Sequence, residues 1–140
     1  MKIRYNAPIT LTFALISVVV LAMDNLLGTQ IIPYVCTAPP RGYFSIANPL
    51  SYVRLVTHVL GHADWTHLLS NFSFILLLGP ILEEKYGSVT LLIMIVLTSL
   101  VTGVINSLFF STGLLGASGI VFMMILLASF TNINGSEVPL

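Results

Sequence analysis

Four stretches of the chain are apolar almost without interruption, and the segments between them differ sharply in character. The first runs from Ala7 to about Leu27, follows Lys2 and Arg4, and meets its first acid at Asp24. The second runs from about Thr66 to Tyr86, with Glu83, Glu84 and Lys85 at its far end and Gly87 as a turn; the third runs from about Val89 to Phe110. A membrane helix needs about 20 mostly apolar residues, so each of these predicts a spanning helix. A signal peptide competes for the first, but the run exceeds the roughly 7–15 residues of a signal core and no small-x-small cleavage site follows it. The fourth stretch reaches only from about Ser118 to Phe130. At about 1.5 Å per residue that is roughly 20 Å, short of a hydrocarbon core of about 30 Å. A short helix with a Gly-rich start is expected to begin inside the membrane. Irregular backbone at that depth is tolerated only within protein or beside water, so Gly116 to Gly119 are expected to line a wet cavity.

Residues 28–65 break the pattern. Pro33, Pro39, Pro40, Gly42 and Pro49 interrupt the segment, and Tyr34, Tyr43, Tyr52 and Trp65 are spread along it. A connection of this length usually carries function or embedded structure. The aromatics suit the headgroup level, so the segment is expected to lie partly in the interface with short helical pieces.

Composition agrees with the pattern and excludes other classes. Of 140 residues, 56% are hydrophobic and 7% are charged, with five basic and five acidic side chains. An average soluble domain carries about 25% charged residues, so an ordinary cytosolic domain is excluded, and so is a disordered segment. No basic stripe is present to neutralise phosphates, which excludes a nucleic-acid partner. The single cysteine, Cys36, permits no internal disulfide. One domain, residues 1–140, is expected. Lys2, Arg4 and Lys85 fall on one side of the spans, a small bias toward a cytoplasmic N-terminus.

Polar residues inside such spans are functional hypotheses by default. His67 and Asn71 lie four residues apart and share a helix face, where both can donate hydrogen bonds. Helix–helix bridging explains the pair equally well. Ser118 stands in Gly116-Ala117-Ser118-Gly119, where small neighbours expose its hydroxyl; a small-residue packing face is the competing account. A serine at a helix N-terminus has free backbone N–H groups beside it, and these can hold an oxyanion. Gly79, Glu83 and Gly87 recur every four residues and read as structural. Thr98, Thr102 and Asn106 share one face of the third span, and Ser99 and Gly103 form a small stripe, both read as close packing. His58, His62 and His67 lack a zinc-like spacing with a third ligand, so no metal or other cofactor is expected and His58 and His62 are assigned to structural hydrogen bonding.

Taken together, these blocks resemble the rhomboid family of intramembrane serine proteases. The resemblance rests on Arg54, His58, His62, His67 and Asn71 in one block, Gly79-x3-Glu83-x3-Gly87 in a second and Gly116-Ala-Ser118-Gly119 in a third, in family order, over about Pro49 to Phe130. It implies an all-α polytopic bundle holding four of the usual six helices (7–27, 66–86, 89–110 and 118–130), in the plasma membrane. It implies Ser118 as nucleophile, with His67, Asn71 and the Ser118 N–H as oxyanion donors. It also implies Glu83 as an anchor of the first loop from below, and Arg54 as the loop arginine, here preceded by Val53 rather than an aromatic. The implied partners are transmembrane protein substrates and the bilayer.

The family's base is a histidine on the sixth helix, whereas no histidine follows Ser118 in this chain. A serine hydroxyl without an adjacent base is a weak nucleophile. The expectation is therefore a fragment, inactive alone, with residues 134–139 read as a turn leading onward, and with self-association or complementation by the missing helices. Two rival classes remain: a non-catalytic rhomboid-like binder of transmembrane clients, and a transporter or assembly subunit, for which no inverted repeat is visible.

Overall fold

A computed structural model describes residues 6–135, with side chains through 131; Lys2, Arg4 and residues 136–140 lie outside the described residues. The described chain is helical. Helix α1 spans Pro8–Leu27, α2 Ile31–Tyr34 and α3 Pro49–Thr57; a 3-10 turn follows at His58–Leu60; then come α4 Trp65–Tyr86, α5 Ser88–Phe109 and α6 Ser118–Gly135. Helices α1, α4 and α5 are long and apolar enough to cross a membrane. Central α4 packs against α1, α5 and α6, and α3 lies against α5. Phe13, Phe72, Ile75, Leu82, Leu91 and Met124 form the heart of the core. Leu15, Leu77, Ile93 and Leu126 lie exposed on the outside of the same helices. Helices that are apolar on both faces are stable only with lipid around them, so this is an integral membrane bundle.

Local chemistry explains the helix ends. Pro8 opens α1, where a missing N–H costs nothing, and Gly28 closes it with φ +69°. Asn48 caps α3 by accepting the Leu50 N–H, and Asp64 caps α4 by accepting the His67 N–H at 2.8 Å. Gly87 alone separates α4 from α5, with φ +92°, a conformation open to glycine and strained for other residues.

Helix α6 is longer than its sequence suggested. It reaches Gly135 rather than about Phe130, so Asn134 and Gly135 are helical and not part of a turn. Eighteen residues rise about 27 Å, close to a full hydrocarbon core. Its start is nevertheless deep, on two other measures. Ser118 bonds Asn71, which lies six residues, or about 9 Å, inside α4. Gly119 faces Thr102, which lies seven residues, or about 10 Å, before the end of α5.

The Gly79–Glu83–Gly87 motif joins α4 to α1 and α5. A Cβ on Gly79 would stand 2.6 Å from the Thr10 side chain, so only glycine admits α1 there. The buried Glu83 carboxylate accepts from the Ile9 N–H (2.9 Å), the Thr10 N–H (3.0 Å), the Thr10 hydroxyl (2.9 Å) and the Ser88 hydroxyl (2.7 Å). This corrects the expectation that Glu83 anchors the first loop. It lies 16 residues, or about 24 Å, along α4 from His67, at the end away from residues 28–64. There it caps the bare N–H groups that open α1, where a negative charge is also favoured by the helix dipole.

At the opposite end, residues 28–64 are tied down piece by piece. Asp24 accepts from the Thr29 hydroxyl and from the Ile31 and Ile32 N–H groups, which caps α2. Arg54 donates through Nε to the Thr37 carbonyl at 2.6 Å. Ala38 and Leu114 exchange both backbone bonds, at 2.7 and 3.2 Å, in a single antiparallel bridge. Asn106 Nδ2 donates to the Thr112 carbonyl at 3.0 Å, and the Ser107 hydroxyl to the Pro39 carbonyl at 2.7 Å. Two loops are thereby joined above α5, one of them leading directly to Ser118.

Candidate active site

Ser118 is the first residue of α6, and Ala117 accepts the first intrahelical bond, from the Val121 N–H at 2.9 Å. The N–H groups of Ser118 and Gly119 therefore have no acceptor within their own helix. The backbone just before them turns sharply. Gly116 has φ +109°, and a Cβ there would meet His67 Cε1 at 2.7 Å and Nε2 at 2.9 Å. Glycine is needed twice over, for the conformation and for the space. Its absent side chain is what lets the His67 ring reach the start of α6.

Three of the sequence-derived residues converge here. The Ser118 hydroxyl, exposed in this chain, donates to Asn71 Oδ1 at 3.2 Å. Asn71 is 7% exposed, and its Nδ2 has no hydrogen-bond partner. His67 Nδ1 accepts the Ala63 N–H at 3.2 Å. A neutral imidazole that accepts at one nitrogen carries its proton on the other, so His67 Nε2 is a donor on the side facing Gly116. The arrangement thus offers a hydroxyl, an idle amide N–H₂, an imidazole N–H and the unpaired N–H groups of a helix N-terminus. Donors grouped around a hydroxyl in this way can stabilise negative charge that develops on a carbonyl oxygen.

The remaining motif residues act at a distance. Gly119 packs α6 against Thr102 of α5. Arg54, Gly79, Glu83 and Gly87 do not touch the Ser118 cluster; they hold loop and helices as described above. Among the described residues no three His, Cys, Asp or Glu side chains are grouped to hold a metal.

Sequence reasoning read the α5 polar face as packing, and this was half of its role. Gly103 does pack, against the Leu55 backbone. Asn106 instead carries loop carbonyls, and Thr102 lies beside His58, whose Nε2 meets the Ser99 carbonyl at 2.8 Å. The structural bond expected of His62 has an unforeseen partner. It accepts the Ala117 N–H through Nε2 at 3.3 Å, immediately before the serine. The spacing of His62 from Ser118 in the chain gives no hint of this pairing.

Residues 49–137 match the Rhomboid domain model. The rhomboid protease GlpG of Haemophilus influenzae is 32% identical over 72 residues, covering 51% of this chain and 38% of that protein. The rhomboid protease GlpG of Klebsiella pneumoniae is 28% identical over 123 residues, covering 87% of this chain and 43% of that protein. The chain thus spans about two fifths of the length of the curated relatives it matches.

Proposed function

The chain belongs to the rhomboid family, and from that premise we propose that it carries the nucleophile half of an intramembrane serine protease. Ser118 attacks a peptide bond of a transmembrane protein substrate, about 10 Å along the axes of α4 and α5 from their loop-side ends. Its proton leaves to a base, and the carbonyl oxygen gains the charge. His67 Nε2–H, Asn71 Nδ2 and the Ser118 N–H receive that charge; the buried Nδ2 without a partner is the observation that carries this reading. Such a group persists in a folded protein chiefly where something else is to fill the bond.

The base lies outside the described cluster. His58 and His62 engage backbone through Nε2, and His67 directs a donor at the site. The chain sits in the plasma membrane with its N-terminus cytoplasmic, which places Ser118 toward the outer face.

The exposed Ser118, with no base beside it among the described residues, favours one alternative, a rhomboid-like protein that binds transmembrane clients without cutting them. Reconstitution separates the two. Native protein in lipid vesicles with a fluorogenic transmembrane substrate is expected to cleave it, and Ser118→Ala to abolish cleavage. Substrate binding without cleavage by the native protein supports the binder and contradicts the protease.

A further inference from the structure

The turn between α3 and α4 makes two successive bonds to the backbone ahead of Ser118. The His58 carbonyl accepts the Gly116 N–H at 2.9 Å, and His62 Nε2 accepts the Ala117 N–H at 3.3 Å. A carbonyl accepts at any pH. An imidazole nitrogen accepts only while it carries no proton. The His62 ring is fully buried, so it cannot swing out to water to satisfy itself. It also lies edge-on to the His67 ring, with centroids 5.0 Å apart, and 5.7 Å from the Phe72 ring. One side chain therefore touches both the backbone that carries the serine and the ring that directs a donor at it.

We propose that His62 is a positioning residue, whose unprotonated Nε2 fixes the Ala117 peptide and with it the start of α6 on which Ser118 stands. The geometric part needs no catalytic role for Ser118; the effect on reactivity rests on the reading above. Protonation of Nε2 would set N–H against N–H, break the bond and release the peptide. The titratable groups around His62 are His67 on α4, His58 in its own turn, and Cys36, whose backbone abuts Gly61. Burial holds the Cys36 thiol up at about 11, so it is neutral. Helix α6 carries no titratable side chain, Asp24 near the end of α1 acts on Cys36, and Asp64, two residues after His62, accepts the His67 N–H. Burial, then the neighbouring His67, push the His62 ring down to about 4. The sign follows: the folded chain favours neutral His62, so the Ala117 bond is intact at neutral pH and is lost as pH falls through about 4.

The test is NMR and amide hydrogen exchange on the 15N-labelled 140-residue chain in lipid nanodiscs, which needs no enzymatic activity. At pH 7, His62 is expected to show a protonated Nδ1 and a bare Nε2. Protection of the Ala117 amide is expected to fall on the order of tenfold in His62→Leu, the loss of one net hydrogen bond. His62→Gln, whose amide oxygen still accepts, is expected to keep it within about twofold. Acidification toward pH 4 should strip that protection in the wild type and spare it in His62→Gln. A protonated Nε2 at pH 7 overturns the proposal, as does Ala117 protection indifferent to His62→Leu. If the leucine variant does not fold, the wild-type tautomer and the glutamine arm still decide. Should the His62 results hold while Ser118 of the native protein never reacts with a serine probe, the protease reading fails and the His62 contact stands.

Discussion

Two buried polar clusters occupy opposite ends of α4, and they differ in how completely they are satisfied. At the end joining α5, Glu83 is 3% exposed and accepts four hydrogen bonds. At the end facing residues 28–64, Asn71 is 7% exposed, holds one bond to Ser118, and leaves Nδ2 idle. Both are buried polar groups in the central helix of a membrane bundle, where an unmet hydrogen bond is expensive. The closed cluster ties α1, α4 and α5 together and has no capacity left for a ligand. On the reading proposed above, the open one leaves a bond for an incoming group. Saturation separates these two clusters, although the buried Ser17 Oγ, His58 Nδ1 and His62 Nδ1 also lack a partner.

Substitutions at the two ends should therefore diverge. The largest stability loss is expected from Glu83→Ala, which strands four donors; a hydrogen bond to a charged group contributes about 1.5–3 kcal/mol. Unfolding measured in bicelles, compared with wild type, checks this, and a loss below about 1 kcal/mol would erase the contrast. Gly79→Ala drives a Cβ into Thr10 and is expected to cost about 1–3 kcal/mol by overpacking. Combining it with Thr10→Ala should cost less than the sum of the single changes, a coupling that a double-mutant cycle reads directly.

Changes at the open end should act on the site and spare the fold. Gly116→Ala forces a side chain to φ +109° against His67, so it is expected to move the Asn71 side-chain amide and Ser118 resonances while the α1–α4 contact at Glu83 stays unchanged. The smallest effect is expected from Ser118→Ala, about 1 kcal/mol, the net worth of the one hydrogen bond it donates to Asn71. A loss above about 2 kcal/mol for Ser118→Ala would make the cluster structural after all.

The legible part of this molecule was whatever depends on periodicity or on a motif within one segment. Apolar run lengths marked α1, α4 and α5 because lipid imposes a length on each. The i, i+4 pair His67 and Asn71 was visible because helix geometry alone puts both on one face. The end of α6 was misjudged, since Thr131 to Asn134 look polar yet continue the helix. The Glu83 partners were missed for a different reason. Its donors lie more than 70 residues away, and only the tertiary fold shows that the bare N-terminus of α1 arrives there. The His62–Ala117 bond is likewise a contact between two turns, and no periodicity within either segment encodes it.

The most direct test of the central claim is to treat native membranes of the source organism with a fluorophosphonate serine probe and map the labelled residue by mass spectrometry. The account predicts label on Ser118. An unlabelled Ser118 in membranes whose other serine hydrolases are labelled would contradict it.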